Sequence, residues 1–317
     1  MIVLDRHTGA TKGYINPSDY TVNLDSELSA TSSFLIGQNS FSNGDIVVED
    51  GYFGIIKSKP ADSIECESLY QLFARRVLKP TVINTDFEHD LGTRMGIFIS
   101  DADPMYNYPY FNITATSATS GTPAYKADSD GTISILELMV EYFKKYGIVT
   151  TFSLVTGGIN ISIGTAIFKP KILDLSRLDI TSEEIQGDIV AKITTKNGNT
   201  MHNYYYLSNG TYGTNKSATN RVDGEWKTLF GTSDADLLKS VADEFANNKF
   251  KHLIEFTAPG EIFGQQLSLY DLVKVKGRYG DIYESYISAL SKTKNSKLVT
   301  YKLGDLRVTL TDKLRRL

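Results

Sequence analysis

Alternation of apolar and polar residues predicts that most of the chain forms β-strands. Residues 272–276 alternate leucine or valine with lysine, and a longer strand pattern covers 281–290 after a glycine-rich turn at 277–280. A period of two places one face of each strand in the core and the other in water. We therefore predict an antiparallel hairpin, followed after a polar break at 291–296 by a strand at 297–303.

A second hairpin of the same design is predicted near the start of the chain. Asp50-Gly51 separates two apolar runs within residues 44–58, which is a strong signal for a tight hairpin turn. In an alignment of the two hairpins, Asp45-Ile46-Val47 falls on Asp271-Leu272-Val273, and 55–58 resembles 286–289. Unrelated hairpins also share such features, so the pattern leaves both coincidence and duplication open. A true duplication would give the chain two sister β-domains.

Helical spacing of apolar residues predicts three helices, near residues 69–78, 132–146 and 234–247. The second has the clearest ends, because Ser134 and Glu137 form a capping-box pattern and Gly147 follows as a stop signal. Residues 83–126 show no regular period and contain several prolines, so we predict an irregular region there.

These elements predict a β-rich α+β fold with two small antiparallel β-barrel-like domains and a mixed α/β region between them. We expect the first barrel domain at 1–65, the mixed region with the first two helices at 66–184, and the second barrel domain with the third helix at 185–317.

Composition excludes several classes of protein. With 317 residues, 41% hydrophobic and 22% charged, the chain is typical of soluble globular proteins, and its net charge of −4 gives no indication of nucleic-acid recognition. No apolar run approaches the roughly 18 residues of a transmembrane span, and no signal peptide is recognisable, so we expect synthesis in the cytoplasm. The single cysteine, Cys66, excludes an intrachain disulfide framework and a cysteine-based zinc cluster.

The residues that could carry chemistry do not form a recognisable catalytic set. Cys66 lies in an alternating strand without a histidine nearby, which indicates a buried structural thiol. The acids and histidine at 86–90 could bind a metal, but a solvated loop explains them better. Residues 126–137 partly fit a calcium loop, but Lys126 occupies the first ligand position. We therefore predict no enzymatic activity, no metal ligand and no cofactor.

Two tyrosine-rich groups, at 106–111 and 204–206, could form a contact surface. The first lies in the irregular region, so its rings are the better candidates for stacking on a saccharide or touching a partner. The candidates are Tyr106, Tyr108, Tyr110 and Phe111. Burial in the core or in an interface explains both groups better than saccharide binding does.

Several segments, taken in order, resemble one protein family. They are a Gly-Asp-Ile-Val strand from Gly44 that ends in 54–58, the Cys66 strand before a short helix, a tyrosine-rich hairpin at 203–211, a helix at 242–250 with the strand 252–256, and the C-terminal pattern at 301–314. Together they resemble the hub domain of phage and prophage tail-tip proteins, the N-terminal part of siphophage tail-associated lysins. That domain is similar in fold to the hubs of contractile tails. The resemblance spans nearly the whole chain, although its motifs are diffuse strand patterns.

The resemblance implies a homotrimer around the tail axis of the virion, assembled in the host bacterial cytoplasm. It implies docking under a six-fold ring of distal tail protein, with receptor-binding proteins as further partners. Two sister barrels in each of three chains would form a pseudo-six-fold collar that closes or gates the DNA channel. Some members carry a fibre, a carbohydrate-binding module or a hydrolase after the hub, but the pattern here runs to the end of the sequence. The alternative is a virion adhesin that binds a cell-wall saccharide through Tyr106 to Phe111.

Overall fold

The computed structural model describes residues 1–37, 40–75, 77–78, 86–101, 107–116, 133–185, 189–277, 280 and 282–306. These residues group into two compact units: unit 1 within Met1–Ile167 and Ser291–Ser296, and unit 2 within Phe168–Leu290 and Lys297–Arg307. Of the described residues, 49% are in strands and 17% in helices, which confirms the predicted β-rich composition. None of the described helices is long and apolar enough to cross a bilayer.

Unit 1 begins with an antiparallel sheet. Its strands are β1 (Ile2–Leu4), β2 (Thr11–Tyr14), β3 (Asp19–Asp25), β4 (Thr31–Leu35), β5 (Ile46–Glu49), β6 (Tyr52–Ser58) and β7 (Ser63–Ser68). They are arranged in the order β3-β4-β7-β6-β5-β1-β2. The turn between β5 and β6 has positive φ at Asp50 (46°) and Gly51 (78°), as expected for an Asp-Gly hairpin. The predicted hairpin is therefore confirmed. The inward side chains of these strands, among them Val22, Phe34, Val47 and Cys66, form the core.

The rest of unit 1 is mixed α/β. It contains a 3-10 helix (Leu69–Arg75), β8 (Val77–Leu78), α1 (Phe87–Ile99), β9 (Phe111–Ala115), β10 (Ile133–Ser134), α2 (Ile135–Tyr146), β11 (Ile148–Val155) and β12 (Gly158–Thr165). Strands β11, β12 and β9 form one sheet in that order, and β8 pairs with β10. The helix predicted at 69–78 is instead a 3-10 turn that ends early, because Val77 and Leu78 pair with β10.

The sequence predicts helix α2 of this region but not helix α1. Helix α2 confirms its predicted capping box: the Ser134 Oγ accepts the Glu137 N–H at 3.1 Å, and the Glu137 carboxylate accepts the Ser134 N–H at 2.8 Å. Gly147 ends the helix with a left-handed φ of 67°.

Helix α1 lies in the region predicted to be irregular, so that prediction was wrong. Its polar Glu88, Asp90 and Arg94 are buried, and this removes the amphipathic pattern by which a helix is recognised.

Unit 2 contains two larger sheets, a small hairpin and one α-helix. Its elements are β13 (Leu173–Asp174), a 3-10 helix (Leu175–Arg177), β14 (Asp179–Ile185), β15 (Val190–Asn197), β16 (Thr200–Tyr206), β17 (Tyr212–Gly213), β18 (Glu225–Phe230), α3 (Asp234–Ala246), β19 (His252–Pro259), β20 (Glu261–Ile262), β21 (Gln265–Gln266), β22 (Leu272–Lys276), β23 (Ile282–Thr293) and β24 (Leu298–Leu303). One sheet has the order β14-β19-β24-β23-β22-β13, and the other β17-β16-β15-β18. Helix α3 packs on one face of the second sheet through Val241 and Phe245.

Two sequence-based expectations are not confirmed: the polar break at 291–296, which needs correction, and the barrel-like domains. The polar break expected at 291–296 starts later, because β23 continues to Thr293 and its end falls in unit 1. There the Ser291 hydroxyl donates to the Asn23 side chain at 2.6 Å, so polar residues continue the strand. Among the described residues, the sheets of both units are open and none closes into a barrel.

Candidate assembly site

The same five-stranded sheet is present in both units. In unit 1, β3 to β7 have the spatial order β3-β4-β7-β6-β5. In unit 2, β14, β19, β22, β23 and β24 have the order β14-β19-β24-β23-β22. If each set is numbered along the chain, both sheets have the order 1-2-5-4-3. The second copy differs in an insertion between its first two strands, which carries β15 to β18 and α3. We name this shared element the repeated sheet.

The two hairpins of the repeated sheet also share one register. The pairs Ile46↔Ile55, Val47↔Gly54 and Val48↔Phe53 in unit 1 correspond to Leu272↔Tyr286, Val273↔Ser285 and Lys274↔Glu284 in unit 2. This is the alignment that the sequence pattern suggests. A slip of one residue would exchange the buried and exposed faces, so a shared register means that equivalent positions face the core in both copies. The repeat is therefore confirmed in strand order and register.

A buried aspartate holds the hairpin of unit 1 at the start of β5. Asp45 is 2% exposed, and its carboxylate accepts the backbone N–H of Ser42 at 2.8 Å. The backbone N–H of Asp45 donates to the Ser42 carbonyl at 3.1 Å, and its carbonyl accepts the Ile56 N–H at 2.9 Å. Lys12 supplies the positive charge, with its Nζ 2.8 Å from the carboxylate. The side chain and backbone of one residue thus tie the preceding loop, β6 and β2 to the start of β5.

Asp271 makes the same contacts in unit 2. It is 4% exposed, accepts the Ser268 N–H at 2.6 Å, and donates its own N–H to the Ser268 carbonyl at 3.2 Å. Its carbonyl accepts the Ile287 N–H at 3.0 Å, and Lys169 Nζ lies 3.1 Å from the carboxylate. Burial raises the pKa of the Asp271 carboxyl above its ordinary value, although Ser268 and Lys169 act in the opposite direction.

The backbone before each aspartate is also equivalent. Gly44 and Tyr270 have positive φ angles of 95° and 69°. The Gly44 N–H donates to the Ile56 carbonyl at 2.8 Å, and the Tyr270 N–H donates to the Ile287 carbonyl at 2.9 Å. A left-handed tyrosine is unusual, so its presence indicates that the loop geometry is imposed by these contacts. A shared Ser-x-x-Asp spacing in the sequence could have revealed the two serines. Nothing in the sequence points to the two lysines, which come from distant segments.

The described members of the candidate contact group at 106–111 lie in the interior of unit 1. Tyr106 is outside the described residues, whereas Tyr108, Tyr110 and Phe111 are all buried. The Tyr110 hydroxyl donates to the Arg6 carbonyl, and the Arg6 guanidinium donates to the Tyr108 hydroxyl at 3.1 Å. The three rings pack against one another, with the Tyr110 and Phe111 centroids 4.8 Å apart. They tie this segment to the N-terminal loop and leave no open ring face for a saccharide.

The acids and histidine at 86–90 form the start of helix α1, so the solvated loop favoured by the sequence was wrong. Asp86 caps the helix by accepting the His89 N–H at 3.2 Å. Asp90 is buried, and its carboxylate accepts from Arg94 Nε and from the Tyr142 hydroxyl, each at 2.9 Å. The described residues contain no group of three or more histidine, cysteine or acidic side chains that could hold a metal ion.

The two remaining sequence candidates have different outcomes. Cys66 is fully buried, which confirms the prediction of a buried thiol, and burial raises the pKa of that thiol. Of the possible calcium loop, residues 126–132 lie outside the described residues. Its last residue, Glu137, is the capping partner of Ser134.

The second sheet of unit 2 presents an exposed apolar face. Along β18, Leu229 packs toward α3 and Lys227 pairs with Glu244 of that helix, so the alternate residues point away from it. Two of those, Trp226 and Phe230, are each 73% exposed. Strand β18 is an edge of its sheet, and large apolar residues on an exposed edge are typical of contact surfaces. We name this surface the β18 face.

Comparisons with known proteins place the fold among phage tail proteins. No protein-family model and no curated protein matches the sequence. Among solved structures, the tail protein from Neisseria meningitidis MC58 has a TM-score of 0.55 at 14% identity, covering 96% of each chain. Prophage tail protein gp18 from Listeria monocytogenes EGD-e has a TM-score of 0.54 at 12% identity, covering 99% of this chain and 97% of its own. A chain of the p2 virion baseplate in activated conformation has a TM-score of 0.50 at 14% identity, covering 95% and 98%. The predicted resemblance to tail proteins is thus confirmed at the level of fold.

Proposed function

We propose that this protein is the subunit of a homotrimeric hub at the tip of a phage tail. The repeated sheet carries this proposal. A chain with two equivalent sheets presents six of them when three copies surround one axis, and this number matches a six-fold ring. Closed cyclic symmetry is the common arrangement for soluble oligomers. The hub would therefore join the six-fold ring of distal tail protein to a three-fold tip.

The proposed role is structural and not enzymatic. The contacts that distinguish the repeated sheet, around Asp45 and Asp271, hold backbone segments together, and both carboxylates are buried behind lysine side chains. In the assembled tail tip the hub would surround the DNA channel and close or gate it without recognising nucleic-acid sequence. Receptor-binding proteins are its proposed outer partners, and assembly would take place in the host bacterial cytoplasm.

The β18 face is the contact surface that we assign to the neighbouring copy in the trimer. A six-residue edge strand offers backbone donors and acceptors along its open side, and Trp226 and Phe230 add apolar area. Lys192 lies against the Trp226 ring, with its Nζ 4.8 Å from the ring centroid, and holds the indole over the sheet. Large aromatic rings of this kind contribute strongly to an interface when they are buried.

The mass of the protein in solution tests the proposal. Native mass spectrometry and light scattering over a concentration series, with and without distal tail protein, should give a species of three times 35.2 kDa or three copies on one ring. Replacing Trp226 and Phe230 by serine should abolish this species while leaving the thermal unfolding temperature nearly unchanged, because exposed side chains contribute little to stability. A chain that stays monomeric even with the ring present would refute the hub.

The adhesin alternative has a separate test. It depended on exposed rings at 106–111, and the described members of that group are buried. Binding to purified host cell wall that is lost in Tyr108→Ala and Tyr110→Ala, with the fold intact, would favour it over the hub.

A further inference from the structure

Unit 2 contains a cavity of about 700 Å³ that neither the repeated sheet nor the β18 face explains. It lies where the inserted sheet and α3 approach the ends of β19, β22 and β23. Tyr206, Tyr212 and Phe245 line one side, and His252 and Tyr283 also line it. Its volume is within the range of small-molecule sites in proteins.

Aromatic rings form much of the wall. Tyr206 and Tyr212 both pack against Phe245, with ring centroids 5.5 and 5.0 Å apart, and His252 stacks on Tyr283 at 5.2 Å. Tyr212 is 37% exposed, whereas Tyr206 and Phe245 are buried beside it. The cavity therefore offers a supported tyrosine ring against which a flat apolar surface can stack.

One polar atom of the wall has no protein partner. The Tyr283 hydroxyl oxygen is buried and makes no hydrogen bond within the described part of the chain. A buried hydroxyl without a partner is unfavourable, and such groups in native structures call for a physical explanation. A purely apolar occupant would leave this hydroxyl unsatisfied, so the cavity suits a molecule that carries hydroxyl groups of its own.

Among the described residues that line the cavity, the acidic and basic side chains are equal in number. Glu183 and Glu284 are the acids, Lys249 and Lys274 are the bases, and Glu284 pairs with Lys249 at 2.9 Å. His252 Nε2 lies 3.0 Å from the Glu183 carboxylate. Burial lowers the pKa of His252 below its ordinary value and outweighs the opposing effect of Glu183, which favours the neutral imidazole. With no excess of either sign among its described residues, the lining favours an uncharged ligand over an ionic one.

We propose that this cavity binds an uncharged saccharide. A pyranose has an apolar face of C–H groups that stacks on Tyr212 and a ring of hydroxyls that reaches the Tyr283 hydroxyl and the Glu183 carboxylate. An aromatic wall with a few convergent polar groups is the usual design of a small-ligand site. This site is separate from the buried tyrosines at 108–110, and the proposal does not depend on the trimer.

Saturation-transfer NMR and titration calorimetry with the full chain test the site. The probes are glucose, galactose, N-acetylglucosamine and N-acetylgalactosamine. We expect at least one to bind with a dissociation constant on the order of 1 mM. Tyr283→Phe removes a single hydroxyl and should weaken binding about three- to tenfold. Tyr212→Ala removes the stacking ring and should abolish detectable binding. Tyr14→Ala is the matched control, since it removes an exposed tyrosine ring of unit 1 outside the cavity and should leave binding unchanged.

Three results would overturn the proposal. No transfer to any of the four sugars from the folded protein would do so, as would binding that survives both tyrosine substitutions. Binding lost in Tyr14→Ala to the same extent as in Tyr212→Ala would also do so, since the loss would then not be specific to the cavity. The mass of the protein with and without distal tail protein is read independently, so failure of this proposal leaves the hub proposal intact.

Discussion

Alanine substitution of Asp45 and of Asp271 should have nearly equal effects if the repeated sheet is held in the same way in both units. Each substitution removes the acceptor of a serine N–H, which is bonded at 2.8 Å in unit 1 and 2.6 Å in unit 2. It also removes an ion pair with a lysine that is one-third (33%) or one-fifth (20%) exposed, although Lys12 keeps Asp5 as a second partner at 3.2 Å. Because both aspartates are buried, no solvent replaces these contacts without a change in structure.

The magnitude follows from these two losses. A backbone N–H left without its acceptor in a buried position costs about 1–3 kcal/mol. The ion pair adds at most about 1 kcal/mol, because each lysine keeps contact with water. We therefore expect each alanine variant to lose about 2–4 kcal/mol in the opening free energy of its own hairpin. Asparagine keeps an oxygen for the serine N–H, so Asp45→Asn and Asp271→Asn should each lose clearly less than the matching alanine variant.

Hydrogen exchange measured by mass spectrometry can separate the two units. Peptides from 42–58 should exchange faster in Asp45→Ala only, and peptides from 268–290 in Asp271→Ala only, because local opening is confined to the affected segment. A difference of more than about 2 kcal/mol between the two alanine variants would contradict an equivalent role of the two aspartates. Asparagine variants as unstable as the alanine variants would contradict a contribution from the serine contact.

Three further substitutions or conditions test other parts of the structure. Arg94→Met should destabilise unit 1 by about 3–5 kcal/mol in urea unfolding, because it leaves the buried Asp90 carboxylate without its positively charged partner. Adding Asp90→Asn to this variant should restore part of the lost stability. Gly158→Ala should lower the thermal unfolding temperature strongly, because its Cβ would lie 1.9 Å from the Tyr110 carbonyl oxygen; unchanged unfolding would contradict that packing. Lowering the pH should destabilise the protein from about pH 6.5 downward, since burial lowers the pKa of His252 in the folded state, and this component should vanish in His252→Gln.

Much of the local structure was predictable because its determinants lie close together in sequence. The Asp50-Gly51 turn dictates a hairpin, since both residues tolerate the positive φ angles that it needs. The start of α2 follows from Ser134 and Glu137, which are three residues apart and reach each other's backbone.

Helix α1 was not predictable from the sequence because it buries charged residues. Its buried Asp90 and Arg94 satisfy each other and Tyr142 of a distant helix, so these charges did not have to face water. A sequence pattern assumes that charged residues are exposed, and this helix breaks the assumption. The same holds for the tyrosines at 108 and 110, whose hydroxyls find partners on Arg6.

The sequence by itself determined the β-rich class, the hairpins, the capped helix and the alignment of the two hairpins, because period-two alternation and turn chemistry act over a few residues. Only the tertiary structure decided that the repeat covers five strands in one order and that distant Lys12 and Lys169 neutralise its buried aspartates. Tertiary structure also decided which tyrosines are buried and which line a cavity. Burial and charge pairing depend on segments far apart in the chain, and no local pattern encodes their proximity.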